Sequence, residues 1–332
     1  MAGLWLAGSS SSAQPSKAPR VFRGVPGVAH RRAVVRWADM AAKPPAPGAG
    51  EEVEPGPLPV LPVTADDPRT LEASSRAVAP LTPGPLSPAT SASFLALGDN
   101  NTFIPPDTNG AAGPSHLMVT LNSQIRVQDK TGANLSTKTL DTFWSSVAGT
   151  GTFDPRVSYD PYGGRWIVAG ADDANSSTSG ILVGVSQTSD PTGAWNLYKV
   201  DVDATNTYWA DFPTLGFNKD WIVVQTNRFS IGASPAFHDS LVYIFKKSDL
   251  YAAGTGLFTL ATLSGVGGTQ QPASTYDASV ATLQMLQEWN GNSGGSGFIR
   301  IYSISGAVGS EVVTAGSLIG TANPWGDSPP AS

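Results

Sequence analysis

Three segments, 154–160, 212–218 and 271–277, share one pattern, and no other feature of the chain narrows its fold as much. Each holds a proline (Pro155, Pro213, Pro272), three further residues, an aromatic (Tyr159, Phe217, Tyr276) and then Asp160, Asn218 or Asp277. The prolines stand 58 and 59 residues apart, and Pro106, 49 residues before Pro155, opens a fourth, shorter unit. A fixed period of this length signals supersecondary units in tandem. Within the units, runs rich in Val, Ile, Tyr, Phe and Trp alternate with Gly, Asp, Asn and Ser turn signals, which gives four short strands apiece. They are expected at 156–160, 165–170, 180–187 and 195–202, at 214–218, 221–226, 241–246 and 257–263, and at 274–277, 281–287, 298–304 and 311–318. The first unit shows three, at 117–121, 124–128 and 135–142.

Four antiparallel strands per unit, repeated in tandem, predict an all-β chain: a β-propeller of four-stranded antiparallel blades. The period is too long for a β-helix coil and too regular for one sandwich. The propeller is expected over 95–332, with units near 98–150, 151–208, 209–268 and 269–325, so about four blades are present. A propeller is a closed ring, and four units with an incomplete first one predict an incomplete ring; a closed four-bladed ring is the alternative. End blades without neighbours would expose apolar faces near 117–128 and 298–304.

Residues 1–94 differ in kind. They hold nine Lys/Arg against seven Asp/Glu, where 95–332 hold eleven against nineteen, and most of the 27 prolines fall between Pro44 and Pro106. Clusters such as Pro44-Pro45, Pro55-Gly56-Pro57 and Pro83-Gly84-Pro85 break helices and strands alike. A disordered Pro/Ser/Ala-rich N-terminal segment is expected, with room for one short helix over 31–42. Leu4-Trp5-Leu6-Ala7-Gly8 ahead of small residues reads either as the remnant of a secretory signal peptide or as an ordinary tail. The absence of cysteine excludes disulfides, thiolate metal sites and cysteine nucleophiles. No apolar run approaches ~18 residues, so no transmembrane segment is expected. A net charge of −6 argues against nucleic acid as a partner.

Several stretches together resemble a family of uncharacterised secreted bacterial β-propeller proteins. They are Pro105-Pro106-Asp107-Thr108-Asn109-Gly110 with the residues on to His116, then 153–161, Arg165-Trp166, Ser189-Asp190-Pro191-Thr192-Gly193-Ala194-Trp195, 212–220, Glu288-Trp289-Asn290-Gly291-Asn292 and Asn323-Pro324-Trp325. The resemblance runs from about 98 to 326. It implies a secreted or surface-displayed propeller, sialidase-like in architecture only, and brings no settled activity. It also implies further propeller sequence beyond Asn323-Pro324-Trp325.

Local motifs carry little chemistry. The segment from Thr188 to Trp195 resembles a degenerate Asp box, a hairpin turn rather than a catalytic element. Gly291-Asn292-Ser293-Gly294-Gly295 is similar to the surroundings of a trypsin-type serine, but His116 and His238 lie in no matching context, and a loop between strands accounts for it. Asp107 with Asn109, and Asp172 with Asp173, offer the oxygen donors calcium takes, without completing the spacing of a known calcium loop. No cofactor is otherwise implied.

Propeller geometry says more. The first strand of each blade is innermost and starts at one face, where the turn between its second and third strands also emerges. Read across units, Asp107, Asp154, Arg156, Trp209, Asp211 and Gln271 should meet Asp172, Asp173, Asn227, Arg228, Glu288 and Trp289 around the channel mouth. Such residues suit a ligand face, or turns that lock blade to blade. The leading reading is a non-catalytic propeller binding an extracellular glycan, surface polymer or protein through that face. The alternative is a glycoside hydrolase or lyase, which needs paired carboxyls. Asp107, Asp154, Asp211 and Glu288 are the candidates for such a pair, and no triad is legible.

Overall fold

The computed structural model describes residues 19–43, 55–64, 69–71, 90 and 92–326. The first strands come from a stretch expected to be disordered: β1 (Val21–Arg23), β2 (Val25–Gly27) and β3 (Arg31–Arg36), with a 3₁₀ turn at Trp37–Asp39 and then β4 (Arg69–Leu71). Four antiparallel meanders follow. The first is β5 (Asn109–Ala112), β6 (His116–Thr120), β7 (Gln124–Asp129) and β8 (Asn134–Thr139), closed by the short helix α1 (Leu140–Trp144). The second is β9 (Thr152–Asp160), β10 (Arg165–Asp172), β11 (Gly180–Ser186) and β12 (Ala194–Asp201). The third is β13 (Tyr208–Phe217), β14 (Trp221–Ser230), β15 (Phe237–Lys246), helix α2 (Lys247–Tyr251) and β16 (Phe258–Leu263). The fourth is β17 (Gln271–Pro272), β18 (Leu283–Ser293), β19 (Ser296–Ser305) and β20 (Val312–Gly320).

The first strands of the sheets, β5, β9, β13 and β17, pack side by side in that order. The sheets are therefore successive propeller blades, as the period predicts. Strand side chains alternate between faces, so each middle blade feeds two cores. Met118, Ile125 and Val127 of the first blade meet Val168, Leu182 and Trp195 of the second. Ile167, Val183 and Val185 on the second blade's other face meet Val224 and Tyr243 of the third. Val223, Val242 and Ile244 meet Met285, Tyr302 and Ile304 of the fourth. Among the described residues the first and fourth sheets share no packing of comparable extent, so the blades form an arc.

The repeated motif now has a physical basis. Asp154 and Phe212, each just before a proline, have φ of 52°, and the ladders β9–β10 and β13–β14 shift register there. Proline has no N–H to give a ladder, so a bulge is where an inner strand tolerates it. The final Asp or Asn closes the turn into the second strand. Asp160 Oδ1 accepts the Tyr162 N–H at 2.9 Å, Asn218 Oδ1 that of Trp221 at 2.8 Å, and Asp277 Oδ1 that of Ser279 at 2.8 Å.

Several expectations need correction. β1, β2 and β3 add to the outer edges of the fourth, third and second blades, pairing antiparallel with β20, β16 and β12. Residues 37–43 then reach the first blade, where Trp37 Nε1 donates to Ser136 Oγ and Lys43 N to Thr142 Oγ1, both at 2.9 Å. This belt crosses the four blades in reverse order. It replaces disorder over 21–36 and the helix over 31–42, because Ala33 and Val35 alternate with exposed residues and an open sheet edge can pair with such a strand. The signal-like residues 4–13 and the clusters at Pro44 and Pro83 lie outside the described residues. The first blade has its fourth strand, β5, whose small residues gave no strand signal. The expected strand at 135–142 ends at Thr139, which caps α1 through its hydroxyl. Residues 274–277 hold only an isolated bridge, Phe217 to Ser274. Finally, the outward face of the first blade is not bare: residues 92–98 cross it, with Arg126 Nη1 donating to the Ala96 carbonyl at 2.8 Å and Leu97 buried.

Candidate ligand face at the channel mouth

The bulges decide what the mouth presents. Up to Asp211 the chain alternates one way; beyond Phe212 and Pro213 it alternates the other. One extra residue exchanges the two faces of a strand. Trp209 is thereby fully buried, 5.8 Å from the Phe229 ring, and Phe212 stands 41% exposed. Arg156 of the preceding blade lays its guanidinium over the Phe212 ring, 5.4 Å from the centroid. Gln271 of the next blade is exposed, its amide donating to the Leu215 and Pro272 carbonyls at 3.3 and 3.0 Å.

Beneath this pair runs a blade-to-blade relay. Asn122 Nδ2 donates to Asp107 Oδ2 at 3.3 Å, Asn122 Oδ1 accepts the Asp154 N–H at 2.7 Å, and Asp154 Oδ2 accepts the Phe212 N–H at 3.0 Å. The carboxyl of Asp154 thus fixes the third blade's bulge to the second. Asp211 is buried. Asn227 is buried as well, accepting the Thr269 N–H at 2.7 Å and so fixing the link into the fourth blade. Arg228 forms a two-pronged pair with Asp239 at 2.8 and 2.9 Å and covers the Tyr208 ring. Trp209, Asp211, Asn227 and Arg228 therefore serve the core and blade contacts rather than an open mouth. Glu288 and Trp289 lie within β18 of the fourth blade. Glu288 accepts Trp325 Nε1 at 2.6 Å, and Trp289 carries the Arg300 guanidinium 3.6 Å from its ring centroid and donates to the Pro62 carbonyl.

The calcium candidates already have protein partners, Asp107 among them through the Asn122 amide. Lys199 Nζ lies 2.5 Å from Asp172 Oδ2 and 3.6 Å from Asp173 Oδ2, so an ammonium is already the cationic partner of this pair. Burial pushes the Asp172 carboxyl up to about 7 against the pull of Lys199. Asn109 Oδ1 accepts the Val157 N–H at 2.8 Å. The Asp-box segment is a hairpin turn: Asp190 Oδ1 accepts the Thr192 N–H at 2.9 Å, and buried Trp195 donates to the Pro191 carbonyl at 2.8 Å. Ser293 ends β18, paired with Ser296 across the turn into β19, while His116 sits 3.9 Å from Asp190 and His238 stacks on Tyr208.

One cluster had no signal in the sequence because its members come from different units. Asp160 Oδ2 accepts Lys247 Nζ at 2.9 Å and the Tyr251 hydroxyl at 2.5 Å, and Lys247 also donates to the Asn218 carbonyl. Burial pushes the Lys247 ammonium down and the Tyr251 phenol up. Asp160 and Lys247 are both buried, which makes the cluster a tie between the second and third blades.

No protein-family model matches the chain, and no curated protein matches it. Among solved structures, similarity is found to an exo-1,5-α-L-arabinanase from a bovine ruminal metagenomic library, at a TM-score of 0.26 and 10% identity, over 65% of this chain and 95% of that one.

Proposed function

We propose that the chain is a non-catalytic β-propeller that binds an extracellular glycan or surface polymer at the channel mouth. The observation that carries this reading is the exposed Phe212 ring capped by Arg156, 5.4 Å away, between two inner strands. An aromatic face offers apolar contact to the C–H face of a sugar, and a guanidinium beside it offers fixed donors for hydroxyl or carboxylate oxygens. The carboxyls that hydrolysis would call on are engaged elsewhere: Asp107 on the Asn122 amide, Asp154 on the Phe212 N–H, Glu288 on Trp325, with Asp211 buried. That favours binding over two-carboxyl catalysis. A secreted or surface-displayed location goes with this reading and with the resemblance described above; among the described residues no helix is long and apolar enough to cross a membrane.

A glycan array on the full chain, beside Phe212→Ala and Arg156→Ala, tests the reading. At least a ~10-fold loss of affinity is expected for each variant with folding unchanged, since Phe212 is 41% exposed. Binding unaffected by both variants would overturn it. Release of reducing sugar from a bound glycan would instead establish the hydrolase alternative.

A further inference from the structure

The proline-rich stretch 55–64 pairs with no strand, yet the fourth blade grips it. Leu61 is buried in the core cluster that contains Val266 and Trp289. Its carbonyl accepts Asn290 Nδ2 at 2.7 Å, and the next carbonyl, of Pro62, accepts Trp289 Nε1 at 3.1 Å. The floor under the two leucines is Gly267-Gly268. A Cβ on Gly267 would stand 2.7 Å from Leu61 Cδ1, and one on Gly268 would meet Asn227 Oδ1 at 2.5 Å as well as Leu58 Cδ2 at 3.0 Å, so the two leucines seat over a floor without side chains. Arg300, with its guanidinium 3.6 Å from the centroid of the Trp289 ring, holds the indole in place. Val60, between the two leucines, is 85% exposed.

These are the parts of a reader of extended proline-containing peptide. A chain interrupted by prolines cannot satisfy its own carbonyls, and an aromatic wall with side-chain N–H donors does so, while one apolar pocket sets the register. We propose that this slot is a binding site for extended peptides of the pattern Leu-x-x-Leu-Pro, carried by a partner protein, and that the chain's own Leu58, Leu61 and Pro62 keep it closed. A tethered segment acts at an effective concentration of about millimolar order, so a partner's peptide gains access only as the tethered one leaves. The slot shares no residue with the Arg156–Phe212 platform, and the two readings stand or fall separately.

The test uses the full chain and a fluorescent synthetic peptide with the sequence of residues 55–64. Leu61→Asp unseats the tethered segment and leaves the slot intact. The peptide is expected to bind this variant at least ~10-fold more tightly than it binds the unmodified chain. Adding Asn290→Ala should abolish the gain. A second measurement does not depend on Leu61→Asp folding. The chain has no cysteine, so Val60→Cys accepts a single fluorophore at an exposed position. Its anisotropy should fall when Asn290→Ala is introduced. Equal weak peptide binding to the unmodified chain and to folded L61D, or a label at V60C that does not respond to N290A, would overturn the proposal.

Discussion

Phe217 and Tyr276 occupy the same place in the repeated motif, and their surroundings make them unequal. Phe217 is fully buried, edge-on to Tyr276 at 5.5 Å and beneath the Lys247 ammonium at 4.9 Å, whereas Tyr276 is 64% exposed, with no blade among the described residues over its outer side. Phe217→Ala should cost ~3–5 kcal/mol in urea unfolding, and Tyr276→Ala under ~1 kcal/mol; equal costs would refute this placement of the two rings. The sequence makes the motif legible but not the neighbour each copy meets. The mouth was misread for a related reason. Standing at the start of an inner strand puts Trp209 and Asp211 at the mouth, but the bulge before Pro213 exchanges the two faces there and brings out Phe212 instead. The proline was the available signal, since an inner strand accommodates one only by breaking its ladder. Asp172 gives a prediction in pH. Its carboxyl titrates at about 7 in the fold, against about 3.9 unfolded. Between those values the native state binds more protons than the unfolded one, so stability falls as pH rises. This contribution is fully present below about pH 4 and lost as pH passes about 7. Unfolding at pH 5 and pH 8 should therefore show a drop that Asp172→Asn diminishes; an identical drop in the variant would exclude Asp172 as its source.

At the level of elements, strands within a unit were legible because each is flanked by turn residues and paired with its sequence neighbour. The belt was not. β3 pairs with β12 across more than 150 residues of chain, Trp195 opposite Val35 and Leu197 opposite Ala33, and short arginine-bearing strands carry little apolar signal of their own. What attracts them is the row of unpaired backbone groups on the outer edge of each blade. Trp37 fastens the end of the belt: it is buried, tilted against Phe143 at 5.8 Å, and hydrogen-bonded to Ser136. A belt held by three strand pairings and this anchor should survive loss of its covalent link. With a protease site engineered between residues 44 and 54 and then cut, residues 1–43 should co-elute with the remainder on gel filtration. Trp37→Ala should let them dissociate. Release of the fragment from the cut but otherwise unmodified chain would show that the belt is held only by its tether.

For the whole molecule, the decisive feature is that the two ends of the arc are unlike. The outward face of the first blade is crossed by residues 92–98. On the fourth blade, Leu286 is 48% and Ile301 39% exposed, and the two are cross-strand partners in β18 and β19. Ile299 and Ile319, themselves opposite each other, are partly exposed beside them. An apolar sheet face of this kind seeks cover, and the geometry of association follows from symmetry. If both ends were bare, copies could add head to tail and the product would grow without limit. With one end bare among the described residues, two copies of this chain meet through the same patch and association stops at a twofold dimer. Light scattering on the full chain should therefore show dimers that dissociate on dilution, without larger species. Ile301→Lys should yield a monomer that melts where the diluted, dissociated chain does, because Ile301 lies outside the buried core. A monomer before substitution would mean that the patch is too small to drive association, and open-ended growth would mean that residues 92–98 do not seal the first blade.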